Sequence, residues 1–385
     1  MAVNPLQFMG QYDRPLLPEE MAQQRPVLGS GERPRELAEF AARRRIYVRL
    51  EGDQPARPTA VRASDAVPDA AEVAQGVWRI ELPVAAPGPV GLPGRTASRR
   101  EPAEILAEVD AAVDFRGYRP DWIDQLFVPR IMPTPSRPLL RRLDGRRMMR
   151  PEVPFPPENR TEFMDSSYPW GVIGRVDASD GFYGTGCLIG PRIMVTAGHV
   201  VPWGDVAAGS WSMRFVPAYY NGQSLHGAGV ESWVSDVQGF NTSGSVTGYD
   251  WAVCRLYDPL GDWFGFMGFN GWSDSWIGGG YWTNVGYQGD LSGGARPTYQ
   301  TGIPVFDTDS DSAGGTELEH RGDTAGGNSG GPFFASFGGD FRLVGVHSGY
   351  EEDVIALPPF SEAGNVAAGG SGFTNLVAWA RTNWP

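Results

Sequence analysis

The sequence has little of several residue types, and each shortage excludes a class of protein. Only two of the 385 residues are cysteines, too few for a disulfide framework. All 32 basic residues are arginine, so every fixed positive side chain is a guanidinium. No apolar run is long enough to span a membrane, and we expect no membrane association. The N-terminus lacks a basic stretch followed by an apolar run, so we recognise no secretory signal and favour a cytoplasmic location over secretion.

Positive charge is also scarce. The formal net charge is −13, which argues against nucleic acid as a partner because binding to a phosphate backbone needs a basic face. Residues 1–150 contain 23 Arg against 20 Asp and Glu, a net charge of +3, whereas residues 151–385 contain 9 against 25, a net charge of −16. Two separately composed segments explain this asymmetry. The alternative is that the basic segment docks on the acidic one.

The composition of the chain changes after residue 158. Residues 1–152 contain long stretches rich in Pro, Arg and Ala, and residues 129–158 have the composition of a linker. We therefore expect a largely irregular N-terminal segment. The regular elements predicted within it are a short helix over 36–45, strands over 45–50 and 77–84, and a helix over 102–113.

The residues after 158 have the pattern of an all-β domain. Glycine is dense there, and short runs rich in Val, Ile, Trp, Tyr and Phe are separated by Gly, Asn, Asp and Ser. Many short strands with turn signals between them indicate a sandwich or a barrel. A Thr-Asn start and helical apolar spacing predict one closing helix over 374–381. The predicted strands cover 170–176, 194–196, 212–217, 251–256, 281–286, 333–337 and 343–346.

Three short motifs contain the residues that could carry chemistry. His199, one of only four histidines, lies in TAGH directly after a strand-like run. Ser329 lies in GGNSGGP, where flanking glycines let backbone N–H groups come together without Cβ clashes. Asp250 lies in GYDWAVC, where a loop enters an apolar strand; Asp236 and Asp258 are the competing carboxylates. A hydroxyl activated by an imidazole, whose tautomer a carboxylate fixes, is what acyl transfer requires.

TAGH, YDWAV and GNSGGP, in the chain order His, Asp, Ser, resemble the trypsin-like serine peptidases over about residues 157–385. The resemblance implies two six-stranded β-barrels of the chymotrypsin type, with His199 as base, Asp250 as its orienting carboxylate and Ser329 as nucleophile. It also implies an oxyanion hole formed by the N–H groups of Gly327 and Ser329. The substrate would be a protein or peptide, hydrolysed without metal or cofactor. A catalytically silent binding protein with the same fold is the alternative.

Within this superfamily the sequence is similar to the bacterial glutamyl endopeptidases. The stretch ENRTEFMDSSYPWGVIGRV at 158–176 resembles the opening of that branch, and DTAGGNSGGP also fits it. The resemblance implies that Thr324 and His347 bind an acidic P1 side chain, so that cleavage follows Glu or Asp. A hydroxyl and an imidazole can both donate to a carboxylate without a fixed charge. The alternative is an intracellular regulatory protease that selects Arg or Lys through Asp323.

Other residues near these motifs have narrower expected roles. Ser348 and Tyr350 are expected to offer backbone hydrogen bonds to an extended substrate. Asn328 precedes the nucleophile, where digestive trypsins have an Asp that pairs with a new N-terminal ammonium, and Asn cannot form that ion pair. Cys187 and Cys254 both lie in apolar strand contexts and are expected to be buried thiols.

The resemblance also bears on the N-terminal segment, because glutamyl endopeptidases are made with a pro-segment. Residues 1–152 occupy that place, and residues 153–385 form the peptidase domain. Alignment of Arg160 with the Arg of the family's opening segment predicts cleavage after Glu152, freeing Val153. Before cleavage, the N-terminal segment would inhibit the enzyme intramolecularly. The alternative is that residues 1–152 form a permanent accessory region.

Overall fold

The chain folds mainly into β-strands. The computed structural model describes residues 14–49, 69–74, 76–83, 96–99, 114–131, 155, 157–242, 246–354 and 361–384. The strands are β1 (Arg43–Arg49), β2 (Asp69–Ala74), β3 (Val77–Pro83), β4 (Thr96–Arg99), β5 (Thr161–Glu162), β6 (Ile173–Ala178), β7 (Tyr183–Gly190), β8 (Ile193–Thr196), β9 (Met213–Pro217), β10 (Tyr219–Tyr220), β11 (Gln223–Ser224), β12 (Ser232–Gly239), β13 (Ala252–Leu256), β14 (Gly268–Phe269), β15 (Trp282–Gly286), β16 (Thr298–Ile303), β17 (Val305–Ser310), β18 (Thr316–His320), β19 (Pro332–Phe337), β20 (Asp340–Val354) and β21 (Ser361–Gly369).

Helices are short, apart from the last one. The α-helices are α1 (Pro18–Ala22), α2 (Arg35–Ala41), α3 (Trp203–Ala207), α4 (Leu260–Phe264) and α5 (Ser371–Asn383). Single turns of 3-10 helix occupy Trp170–Val172, Gly198–Val200, Asp274–Trp276, Ser292–Gly294 and Ser312–Gly314.

Six strands close into a first barrel. Antiparallel pairs run from β6 to β7, β8, β13, β12 and β9, and β9 pairs again with β6. Because every strand of this ring has two neighbours, the ring itself has no unpaired edge. Large apolar side chains that are completely buried fill the interior, among them Val176, Leu188, Val195 and Phe215.

A second barrel follows in the chain. Its ladder runs from β16 through β15, β19, β20, β21 and β18 to β17. Only Pro304 separates β16 from β17, so the two act as one bent strand and the ring closes with six members. Proline cannot donate a ladder hydrogen bond, which suits it to the bend. Trp282, Leu318, Phe333 and Val344 are buried in this barrel. The prediction of two six-stranded barrels is therefore confirmed.

The predicted closing helix is also confirmed, as α5, which begins three residues earlier than the apolar pattern indicated. Leu376 and Val377 are buried on its inner face. Arg381, in its last turn, donates to the carbonyl oxygens of Ile189 in β7 and of Met267 in the segment between the barrels. This one helix therefore contacts both the first barrel and the connection to the second.

The N-terminal part contains more regular structure than the sequence indicated. The helix predicted over 36–45 is α2, and the strands predicted over 45–50 and 77–84 are β1 and β3. Strand β2 completes an antiparallel sheet in the order β1, β3, β2, and β4 pairs in parallel with β12 of the first barrel. The helix predicted over 102–113 lies outside the described residues.

Both cysteines are buried thiols, as predicted. Cys187 in β7 and Cys254 in β13 are completely buried and unbridged, and burial raises the pKa of each thiol. In the described part of the chain, no helix is long and apolar enough to cross a bilayer. Among the same residues, no group of three or more His, Cys, Asp and Glu side chains is arranged to hold a metal ion.

Candidate active site

A buried carboxylate, Asp250, lies at the centre of the site, two residues before β13 begins. His199 contributes two contacts to it: its Nδ1 lies 2.6 Å from Oδ2, and its backbone N–H donates to Oδ1 at 3.0 Å. The Ser348 hydroxyl donates to Oδ2 at 2.6 Å, and the Thr242 hydroxyl donates to Oδ1. Burial raises the pKa of Asp250, but His199 and these hydrogen bonds outweigh burial and leave the pKa below its usual value. The carboxylate is therefore ionised at neutral pH.

The competing carboxylates lie elsewhere. Asp236 accepts from the Ser235 hydroxyl beside it in β12. Asp258 accepts from Tyr47 and Ser232. Asp250 is thus the carboxylate that the structure places beside the His199 imidazole.

A glycine lets the His199 loop approach this carboxylate. A Cβ on Gly198 would lie 3.1 Å from both Oδ1 of Asp250 and Oγ1 of Thr242, and closer still to the Phe240 carbonyl oxygen. Any side chain there would push the loop away from Asp250. The His199 side chain is 28% exposed, so a substrate can reach it.

The Ser329 loop lies against the first barrel, close to His199. The N–H of Thr185 in β7 donates to the Ser329 carbonyl oxygen at 2.8 Å. A Cβ on Gly184 would lie 2.7 Å from that same oxygen and 2.8 Å from Val200, the residue after His199. Gly184 in β7 thus allows the Ser329 loop and the His199 loop to meet at one strand.

The residues around Ser329 adopt conformations that explain the glycines of the motif. Gly327 has a φ of +98° and Gly330 a φ of +81°, in the left-handed region that favours glycine. No residue of the described ranges is recorded as an acceptor for the backbone N–H of Gly327 or of Ser329. Asn328 is buried, and its side-chain amide donates to Oδ1 of Asn284 at 2.7 Å. An amide–amide hydrogen bond therefore holds this position.

Two buried polar side chains, His347 and Thr324, lie on the side of the Ser329 loop that faces the second barrel. The carbonyl oxygen of His347 accepts from Gly330, and its N–H donates to Gly331, both at 2.8 Å, so His347 is fixed to the loop. Burial lowers the pKa of His347 well below its usual value, which keeps the imidazole neutral. The Thr324 hydroxyl is completely buried, and no protein hydrogen bond to it is recorded among the described residues.

Asp323 is buried and anchors the segment that precedes the first barrel. Its Oδ1 accepts from the N–H of Phe155 at 2.6 Å, and its Oδ2 accepts from the N–H of Asn159 at 2.8 Å. Burial raises the pKa of this carboxyl group. Both oxygens are therefore engaged by backbone donors. Glu152 and Val153, the predicted cleavage site, lie outside the described residues.

Two donors to Asp250 were not found from the sequence. Ser348 was expected to act through its backbone, but its side chain reaches Asp250 because the β20–β21 register shifts between His347 and Gly349. Such a bulge re-aims a side chain. Thr242 follows β12 in a loop without any motif, so no sequence signal marks it. Tyr350 also lies in β20, which extends beyond the strand predicted over 343–346, and its backbone contact with substrate stays a prediction.

His320 is a further buried residue behind His347. The two ring centroids are 6.2 Å apart, and His320 stacks on Phe333. Its Nδ1 accepts from the N–H of Gly322 at 3.0 Å, so Nε2 carries the proton. Burial lowers its pKa to about 3, and the ring is neutral. In the sequence, the one feature that marked His320 was that the chain has just four histidines.

Comparison with known proteins agrees with this geometry. The family model of trypsin matches residues 159–359, slightly more than half of the chain. The chain therefore belongs to the trypsin family, the class of trypsin-like serine peptidases with the chymotrypsin fold.

The individual relatives have low sequence identity to this chain. Over 182 residues the chain is 30% identical to a glutamyl endopeptidase of Bacillus licheniformis, a match that covers 46% of this chain and 53% of that protein. The chain thus spans about half the length of the curated relative it matches. Among solved structures it is similar to a Glu endopeptidase in complex with MPD, with 19% identity, a TM-score of 0.46 and coverage of 60% of this chain and 100% of that one. It is also similar to the protease Anisep from Arthrobacter nicotinovorans, with 18% identity, a TM-score of 0.42 and coverage of 58% and 100%.

A second group of carboxylates supports the Asp250 loop from outside. The N–H of Gly248 donates to Oδ2 of Asp311 and to Oε1 of Glu317, both at 3.1 Å. Burial, with Glu351 hydrogen-bonded beside it, raises the pKa of Glu317 to about 8. Glu317 therefore holds a proton at neutral pH.

We expect Glu317 to make stability depend on pH. Its folded-state pKa of about 8 exceeds the usual 4.5, so its contribution is complete below about 4.5 and is lost as the pH rises through about 8. Glu317→Gln removes the titration. In urea unfolding near pH 8.5 this variant should exceed the wild type by about 1 kcal/mol, after allowance for solvent screening of a half-buried group. Near pH 5 the two should agree. Asp180→Asn, an exposed carboxylate in the turn between β6 and β7 of the first barrel, is the control. A gain from Glu317→Gln that does not vary with pH would contradict the assignment.

Thr242→Val tests the carboxylate network itself. The substitution removes one donor from a buried ionised group, so the free energy of unfolding should fall by about 1.5–3 kcal/mol. Urea unfolding measures the loss. Thr247→Val is the matched control, because that hydroxyl is buried nearby and has no protein partner recorded in the described ranges. Equal losses in the two variants would show that the Thr242 hydrogen bond contributes nothing specific.

Proposed function

We propose that this chain is a serine endopeptidase that hydrolyses peptide bonds through an acyl-enzyme. The observation that carries the proposal is the ionised Asp250 carboxylate 2.6 Å from Nδ1 of His199. An ionised carboxylate can only accept, so Nδ1 carries the proton and Nε2 carries the basic lone pair. That tautomer is the one a general base requires.

In the proposed mechanism, Oγ of Ser329 attacks the scissile carbonyl carbon while Nε2 of His199 takes its proton. The backbone N–H groups of Gly327 and Ser329 are assigned to the oxyanion that forms. The imidazolium, stabilised by Asp250, then gives its proton to the leaving amine. Water attacks the acyl-enzyme with His199 again as base, which releases the second product and restores Ser329.

An acidic P1 preference is the specificity that we infer. The Thr324 hydroxyl and the neutral imidazole of His347 are buried beside the nucleophile loop, and both can donate to a carboxylate. Asp323, which would select Arg or Lys, already accepts from two backbone N–H groups. The Bacillus licheniformis relative is named a glutamyl endopeptidase, which agrees with this inference.

Protein or peptide segments are the proposed substrates, bound in extended form along Ser348 and Tyr350. Cleavage after Glu152, inhibition by the N-terminal segment and a cytoplasmic location stay predictions.

Activity is tested with a fluorophosphonate probe, which reacts with an activated serine. We expect intact-mass spectrometry to show one probe mass on the wild type and none on Ser329→Ala, because the reaction needs Oγ. Both proteins should have the same circular dichroism spectrum, which controls for folding. Failure of the folded wild type to react would favour a silent binding protein.

Specificity is tested with a peptide library varied at P1. Cleavage should follow Glu and Asp, and His347→Leu should lower kcat/KM for Glu peptides about 10- to 100-fold by removing a hydrogen bond to a charged group. The rate of fluorophosphonate reaction, which needs no P1 carboxylate, should change much less. Asp323→Asn is the control for the alternative that Asp323 selects Arg or Lys at P1. Cleavage confined to Arg and lost in Asp323→Asn would reverse our assignment of the pocket.

A further inference from the structure

The N-terminal part, residues 14–131, is built into the core of the peptidase. Five of its apolar side chains are buried in the same cluster as the first barrel and α5, each with at most 8% of its surface exposed. Phe40 meets Trp263, in the segment between the barrels, with ring centroids 4.2 Å apart. If the N-terminal part dissociated, a continuous apolar surface would be exposed to water. The five side chains are Met21, Leu37, Phe40, Ile123 and Phe127.

Backbone hydrogen bonds also cross between the two parts. Tyr118 and Phe266 exchange N–H···O bonds of 2.8 and 2.9 Å. The N–H of Leu126 donates to the carbonyl oxygen of Tyr168 at 3.0 Å, and the N–H of Tyr168 donates to Asp124 at 2.8 Å. Strand β4 adds a parallel ladder to β12. Removal of residues 14–131 would leave these buried donors and acceptors without their partners, which is costly.

A buried polar cluster fixes the N-terminal sheet to the first barrel. The Tyr47 hydroxyl donates to Asp258 at 2.6 Å, and the Arg45 guanidinium lies 3.8 Å from the same carboxylate. All three residues are buried, and Tyr47 also stacks on Tyr257. Without the N-terminal sheet, Ser232 would be the one side-chain donor left to Asp258 among the described residues. Loss of one side of a buried ionic network is strongly destabilising.

The C-terminal helix joins the same interface. Besides its bonds to the first barrel and the inter-barrel segment, Arg381 donates through Nη1 to the carbonyl oxygens of Asp114 and Arg116. One half-buried arginine of α5 therefore binds the N-terminal part, the first barrel and the connection between the barrels.

We propose that residues 14–131 are a permanent structural part of the enzyme and stay bound when the chain is cut within residues 132–154. A processed molecule is then a two-chain protein, not a peptidase domain freed from its pro-segment. Among the described residues the interface contains one ion pair, Arg45 with Asp258; the other contacts are apolar packing and hydrogen bonds. Retention should therefore resist salt, whereas docking by opposite net charge would weaken in salt.

The test uses the full chain carrying Ser329→Ala, with a recognition sequence for a site-specific endopeptidase inserted between residues 140 and 141. After complete cutting, the sample is run on a sizing column in physiological salt and in about 1 M NaCl. We expect both fragments to elute together at the intact mass in each buffer, and to separate only in denaturant. Elution of a separate N-terminal fragment in either native buffer overturns the proposal. Since this chain lacks the nucleophile, the result is independent of the proposed activity.

A matched pair of variants separates interface contacts from overall stability. Leu37 and Leu318 are both completely buried, the first in the N-terminal part and the second in the second barrel. In the cut protein, Leu37→Ala should release about tenfold more N-terminal fragment on dilution than Leu318→Ala, because only Leu37 lies in the interface. Equal release from the two would count against the proposal. The cut chain without either substitution decides the question even if a variant does not fold.

Discussion

The site depends on one buried negative charge. Asp250 is completely buried, and an ionised carboxylate at such a position is strongly unfavourable unless donors surround it. The structure supplies those donors from separate places in the chain: the His199 loop after β8, Thr242 after β12, and Ser348 in β20. The first two belong to the first barrel and the third to the second. The carboxylate can therefore be satisfied only when the two barrels are in register.

The loop that carries Ser329 also takes hydrogen bonds from both barrels. Thr185 in the first barrel donates its N–H to Ser329 and its hydroxyl to the Gly327 carbonyl oxygen at 2.8 Å. The N–H of Gly330 donates to the carbonyl oxygen of His347, whose neighbour Ser348 reaches Asp250. The relative positions of Asp250, His199 and Ser329 thus depend on the barrel interface and not on any one loop. This explains why glycines occur where loops of the two barrels approach each other most closely.

Local patterns predicted much of this arrangement, and long-range contacts account for the rest. Alternating apolar runs located the strands, and TAGH, YDWAV and GNSGGP located the loops, because each of these signals is contained within a few residues. Thr242 and the side-chain role of Ser348 were missed because they depend on a loop and a β-bulge that bring distant residues to one carboxylate. The engagement of Asp323 by Phe155 and Asn159 spans more than 160 positions and leaves no periodic trace.

In the part of the chain that the structure describes, no disulfide holds the two barrels in register, so other contacts must do so, and the N-terminal part supplies some of them. Cys187 and Cys254 lie in the same barrel as free thiols, so no covalent cross-link joins the two barrels within the described residues. Their connection through residues 257–270 and α5 is covered by residues 14–131, which contact it at Trp263, Phe266 and Arg381. Packing on that connection limits how far one barrel can shift against the other. The buried charge at Asp250 takes donors from both barrels, so whatever holds the connection between them in place also favours the position of those donors.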